Sequence, residues 1–160
     1  MSVTYNLSKE LAGRGNKVVV YTTDTIDAHT RQKLKYLEVE QIRIFYFKNI
    51  SNALAWRRYF LAPGMLFKLQ KGIKEFDIVH VDGFRDWPTI LANRYAKKYG
   101  IPYVLRAAGS IETYFQKGTL KRIFDRLWGY RILRDAAKVI AVTPTEVEQY
   151  KSMGVSEEKI

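Results

Sequence analysis

The segment from Asp77 to Ser110 restricts the fold of this chain more than any other stretch. Asp77-Ile78-Val79-His80-Val81-Asp82-Gly83-Phe84 reads as a short apolar strand that runs into polar residues and a glycine. Pro88 to Gly100 reads as a helix. Ile101-Pro102-Tyr103-Val104-Leu105-Arg106 reads as a second strand, and Ala107-Ala108-Gly109-Ser110 as a small-residue turn. Strand, helix and strand in this order predict one βαβ unit with parallel strands. Ligands of open α/β sheets sit at the carboxyl ends of the strands. Two such ends are visible, His80/Asp82/Gly83 and Arg106/Gly109/Ser110.

The remaining segments extend the same pattern. Val3, Leu7 and Leu11 recur at helical spacing, and Gly13 and Gly15 stop that helix. Val18 to Thr23 is a β-branched run with the character of a strand buried on both faces. Asp24 to Tyr36 reads as a loop with a short helix, and Ile42 to Phe47 as a strand. Asn52 to Phe76 reads as helical, broken or kinked at Pro63-Gly64. Thr119 to Ala137 reads as one long helix with Leu120, Ile123, Phe124, Leu127, Trp128 and Leu133 on its apolar side. Lys138 to Val142 is a further strand. Thr143-Pro144-Thr145-Glu146 then opens a helix with a capping box. The expected fold is one α/β domain with an open, mostly parallel, doubly wound sheet.

Composition narrows the chemistry. There is no cysteine, which excludes disulfides, thiolate metal sites and a cysteine nucleophile. His29 and His80 are the only histidines, too few for a multi-histidine metal centre. The longest apolar run, Tyr59 to Phe67, is too short to span a membrane, and no secretory signal is expected at the start. No Gly-x-Gly-x-x-Gly follows a strand and no Walker-type loop is present, which argues against a dehydrogenase or a nucleotide triphosphatase.

The net charge is +11. It concentrates in Gln41–Glu75, which carries +6, and Arg94–Arg134, which carries +8. Such zones suit a phosphorylated substrate, an anionic lipid surface or nucleic acid. A solvated basic surface is the plainer explanation for any one cluster. Trp56 to Lys71 interleaves aromatics with cations. Trp56, Arg57, Arg58, Phe60, Lys68 and Lys71 are membrane-docking candidates, although core packing explains most aromatic stripes.

Among polar residues, His80, Asp82 and Asp86 have the acid/base chemistry for work in a cleft. His80 lies within its strand, where a structural histidine is equally expected. Arg106 ends the next strand, beside a turn whose backbone N–H groups suit an anion or a sugar hydroxyl. A tight turn alone also explains Gly109, and helix capping explains Thr143.

The chain resembles the N-terminal domain of retaining GT-B glycosyltransferases of the group 1 type. Tyr5-Asn6-Leu7-Ser8-Lys9-Glu10-Leu11-Ala12-Gly13-Arg14-Gly15-Asn16-Lys17-Val18 looks like the family's first helix running into its second strand. Asp77-Ile78-Val79-His80-Val81, Ala96 to Val104 and Val139-Ile140-Ala141-Val142-Thr143 follow in family order. Ala107 to Ser110 falls where the family's Pro-His-Gly-type turn belongs. The resemblance implies a Rossmann-like domain that mainly binds the acceptor. A second such domain would bind the nucleotide sugar through a glutamate pair and basic residues. The reaction implied is metal-free sugar transfer, with retention, to a lipid-linked or polysaccharide acceptor.

Three departures from the pattern bear on function. The family's opening strand and Gly-rich loop should precede Val3, and the loss of that strand would leave two edges open to strand exchange in a homo-oligomer. Ala108 stands where many members carry a histidine. The donor-binding domain and its glutamate pair lie outside residues 1–160. The expectations are therefore an acceptor-side half, inactive alone, with no catalytic residue, no metal and no cofactor beyond the donor of the full enzyme. His80, Asp82, Gly83, Arg85, Arg106, Gly109, Ser110 and Thr143 are expected to line its cleft. The expected location is cytoplasmic, or peripheral at the inner face of the membrane. The alternative is a non-catalytic basic module for anionic membrane or nucleic acid, with nucleic acid not favoured. A sugar-nucleotide epimerase half is a weaker third reading.

Overall fold

The computed structural model describes residues 3–56, 59–111 and 118–160. The chain divides into two compact units, residues 1–67 and 68–160.

In the first unit α1 (Val3–Gly13) leads into β1 (Val18–Thr23). A hairpin follows, formed by β2 (Tyr36–Val39) and β3 (Ile42–Phe47). The strand order is β1-β3-β2, with β1 parallel and β2 antiparallel to β3. Ala12 of α1 closes a small core with Ile42 and Ile44, flanked by Val18, Val20 and Tyr46. Residues 24–35 form the expected loop without its short helix, and β2, which begins at Tyr36, is a strand the sequence reading did not include. The hairpin turns at Glu40 and Gln41, with φ of 49° and 64°. Neither residue signals such a turn in sequence, where glycine or asparagine would. Tertiary contacts hold it instead, since Glu40 accepts hydrogen bonds from Lys9 Nζ at 2.8 Å and Tyr5 Oη at 3.1 Å.

Asn52 to Phe76 takes the broken form of the two expected, with the second helix starting at Pro63. It forms α2 (Asn52–Trp56), then α3 (Pro63–Gly72) and a short 3₁₀ turn. Pro63 is the first residue of α3, where its missing N–H costs nothing.

In the second unit β4 (Val79–Asp82), α4 (Trp87–Tyr99) and β5 (Tyr103–Arg106) make the expected βαβ unit. Asp86 caps α4 by accepting the Thr89 N–H at 2.8 Å, and Gly100 closes it with φ 69°. The long helix expected next runs without a break over residues 118–135, with a π-helical turn (Asp125–Gly129) between α5 (Gly118–Phe124) and α6 (Tyr130–Asp135). Strand β6 (Lys138–Ile140) and α7 (Pro144–Ser152) complete the unit. The sheet order is β4-β5-β6, all parallel. One face of this sheet is a buried core of Val81, Tyr103, Leu105 and Val139. Pairing among the described residues therefore forms two three-stranded ladders rather than one continuous sheet.

Candidate active site

Strands β4, β5 and β6 end together, because Asp82 lies opposite Arg106, and Arg106 opposite Ile140. Three loops leave this edge: Gly83–Asp86, Ala107–Ile111 and Ala141–Thr143. Seven of the eight expected cleft residues lie at the strand ends or in these loops, and His80 lies one turn of the pleat earlier.

Each loop is tied to another. Gly83 donates its N–H to the Arg106 carbonyl at 2.9 Å. Arg85 reaches across to the second loop, where its guanidinium donates to the carbonyls of Ser110 and Ile111. The same guanidinium forms a two-pronged pair with Asp125, at 2.8 and 2.7 Å, and lies over the Phe84 ring. Both side chains of that pair are at least nine-tenths buried. Arg85 thus points into the protein as a clamp, and not into open space as a cleft residue would.

Glu146 ties the second loop to the third. One carboxylate oxygen accepts the Gly109 N–H, and the other accepts the Val142 N–H at 2.7 Å. This corrects the expected capping box. Thr143 caps α7 by accepting the Glu146 N–H at 3.2 Å, but the glutamate does not return to the Thr143 N–H. It fills the small anion site that the turn after β5 offers. Tyr150, fully buried, adds a second tie: its hydroxyl accepts the Ala107 N–H at 3.0 Å and donates to the Ile140 carbonyl. Burial pushes the Tyr150 hydroxyl up to about 12.

The strand-end charges also pair. Arg106 donates to both oxygens of Asp82, at 2.7 to 2.9 Å. The site therefore presents a dipolar ion pair in place of a bare guanidinium. Gly83, with φ 135°, serves the next loop, because a Cβ there would meet an Asp86 carboxylate oxygen at 2.5 Å. Asp86 accepts the Thr89 N–H and hydroxyl, so its role is capping.

The turn after β5 is of type I′. Ala108 and Gly109 have φ of 48° and 78°, and the Ser110 N–H returns to the Ala107 carbonyl at 3.0 Å. The Ser110 hydroxyl bonds that same carbonyl. His80 sits in β4 with its Nε2 buried and without a hydrogen-bond partner among the described residues. Burial lowers its pKa, Asp82 opposes the shift and Arg106 adds to it. Thr143 is exposed and lines a shallow open depression with Ala141, Val142, Pro144, Val147 and Glu148.

Sequence reasoning missed Asp125 and Tyr150 and gave Glu146 only a local role. The partners that tie them to other loops, Arg85, Ala107 and Gly109, lie 37 to 43 residues away, and no local pattern encodes such distances.

The docking candidates fall outside this site. Trp56 is exposed, Phe60 is half-buried, and Lys68 and Lys71 on α3 are exposed. Arg57 and Arg58 lie outside the described residues. Among the described residues no helix is long and apolar enough to cross a membrane, and no cluster of three metal-ligating side chains occurs.

No curated protein matches the sequence. The family model described as Glycosyltransferase Family 4 matches residues 2–160, nearly the whole chain.

Proposed function

The chain belongs to glycosyltransferase family 4, and from that membership we propose that it is the acceptor-side half of a sugar-transferring enzyme. The donor is a nucleotide sugar, bound by a second half outside these residues. The acceptor is a lipid-linked or polysaccharide hydroxyl, and the anomeric configuration is retained without a metal. The observation that carries this reading is the cross-tied edge of β4, β5 and β6. Gly109, Val142 and Arg85 are fixed by Glu146 and Asp125, so the three loops form a preorganised floor.

The floor supports binding and positioning. Asp82, Asp86, Asp125 and Glu146 are each engaged by an arginine, a cap or backbone amides. Asp86 does accept the Thr89 hydroxyl, but Thr89 is buried in the cap of α4, where it serves the helix end and is not an exposed nucleophile. Stabilisation of the leaving diphosphate falls to the donor half.

The test is transfer of labelled sugar from nucleotide sugars to lipid-linked acceptors. The 160-residue chain alone should give none, and joining it to a donor-binding half should restore turnover. Turnover by the chain alone would refute the division of labour. Failure of every donor half, with acceptor binding also absent, would refute the acceptor assignment.

A lipid acceptor would place the protein at the inner face of an anionic membrane, with Trp56, Phe60, Lys68 and Lys71 as docking residues alongside Arg57 and Arg58. The exposure of Trp56, at 61%, supports this. A small but measurable drop in binding to phosphatidylglycerol vesicles on Trp56→Ala is the expected sign, and no drop would remove Trp56 from the docking residues.

A further inference from the structure

Helices α5 and α6 and the π turn between them bury one side and leave the other apolar. The inner side holds Asp125, Gly129, Ile132 and Leu133. That satisfies what this segment owes to the core. Leu120, Ile123, Leu127 and Tyr130 recur at steps of three, four and three residues, so they share the outer side. Their exposures are 54%, 50%, 56% and 55%. One exposed leucine needs no explanation, but four large apolar side chains in line form a patch. The stripe runs about 15 Å along the helix axis.

Its charge surroundings are one-sided. Arg122, Arg126, Arg131 and Arg134 are exposed around the stripe. The two acids of the segment are turned away: Asp125 is buried against Arg85, and Asp135 pairs with Lys97 at 2.8 Å and with Arg134. The free charges that the segment leaves at its surface are thus all cationic. Long arginine stems let such a face sink its apolar stripe while the charged heads stay at headgroup level.

We propose that this face docks on an anionic phospholipid surface, with Ile123 and Leu127 entering the acyl boundary and the arginines pairing with lipid phosphates. The proposal does not depend on sugar transfer. It uses different residues from the Trp56 docking reading, so the two fail separately.

The experiment is co-sedimentation of the 160-residue chain with vesicles of phosphatidylcholine alone or enriched in phosphatidylglycerol. The wild type should bind the anionic vesicles, and bind them more weakly at high salt. Ile123→Asp with Leu127→Asp should cut binding at least about tenfold, since a carboxylate at each insertion point opposes both burial and the surface charge. Arg122→Gln with Arg126→Gln and Arg131→Gln should lower it by a similar factor. Trp56→Ala should leave most of it. These positions are exposed, so circular dichroism should be unchanged. Absence of wild-type binding, equal binding to both vesicle types, or full binding by Ile123→Asp with Leu127→Asp would overturn the proposal. So would a dimer that this double variant dissolves without affecting vesicle binding, because the face would then be a protein contact.

Discussion

Glu146 holds the amide of Gly109, and with it the turn in which an anion was the expected guest. The carboxylate is 4% exposed and accepts a second amide, that of Val142. Two loops from different strands therefore share one buried acceptor. Glu146→Gln keeps the shape but replaces one acceptor oxygen by an N–H₂ group that faces a backbone N–H. The expected loss is about 1–3 kcal/mol in urea unfolding, the usual cost of a buried donor left unpaired. Thr143→Ala removes only the cap of α7 and should cost about 1 kcal/mol. Equal losses from the two variants would show that Glu146 acts only as part of the cap.

Arg85 and Asp125 make the second tie. A buried pair is costly to break and inexpensive to replace, because a single substitution strands one charge. Arg85→Ala should destabilise by about 3–5 kcal/mol. Arg85→Met combined with Asp125→Leu should recover much of that loss. Gly129 belongs to the same arrangement: a Cβ there would lie 2.7 Å from an Asp125 oxygen. Gly129→Ala should therefore displace the carboxylate and cost about 1–3 kcal/mol. A double variant no better than Arg85→Ala would mean that the carbonyls of Ser110 and Ile111, and not Asp125, set the value of the arginine.

His80 makes stability depend on pH in a defined direction. Burial is the largest cause of its lowered pKa. The unfolded chain then binds a proton more readily than the folded one. The contribution of His80 is fully present above the unfolded value of about 6.5 and is lost as pH falls from there towards the lower folded value. His80→Asn should flatten the stability curve of the protein below neutrality, measured by denaturant titration at a series of pH values. An unchanged slope would assign the acid sensitivity elsewhere.

The sequence disclosed the fold where signals are local. The βαβ unit from Asp77 to Ser110 carries its own stop at Gly100, which ends the helix as expected, whereas Asp86, read as an acid/base candidate, is the cap of that helix. The hairpin at Glu40-Gln41 escaped because its stability comes from Lys9 and Tyr5, which are distant in sequence. The apolar side of the 118–135 segment was legible as a pattern but not as a surface. Periodicity puts Leu120, Ile123 and Leu127 on one apolar side with Leu133, yet Leu133 is buried and the other three are exposed. The expected cleft residues lie at one sheet edge because parallel strands end together. Which of them face inward depended on partners such as Asp125 and Glu146, which only the fold brings near.

Ala108 offers the most direct test of the turn after β5. Its φ of 48° lies in the left-handed region, where a side chain meets the following carbonyl at a cost of roughly 1–2 kcal/mol. The next residue, Gly109, holds φ 78° without that cost. Both positions of a type I′ turn need positive φ, so alanine at the first of them is strained by the turn itself. The Ser110 N–H, the Glu146 carboxylate and Tyr150 hold the turn closed against this strain. Ala108→Gly removes the clash but also frees the unfolded chain, which offsets part of the gain. The net expectation is a stabilisation of up to about 1 kcal/mol, read as a raised thermal midpoint. Ala108→Val should lower that midpoint, since a β-branched side chain tolerates positive φ least. If Ala108→Gly instead lowered it, the packing of the Ala108 methyl group would outweigh the strain, and the turn would be held from outside rather than closed by its own three ties.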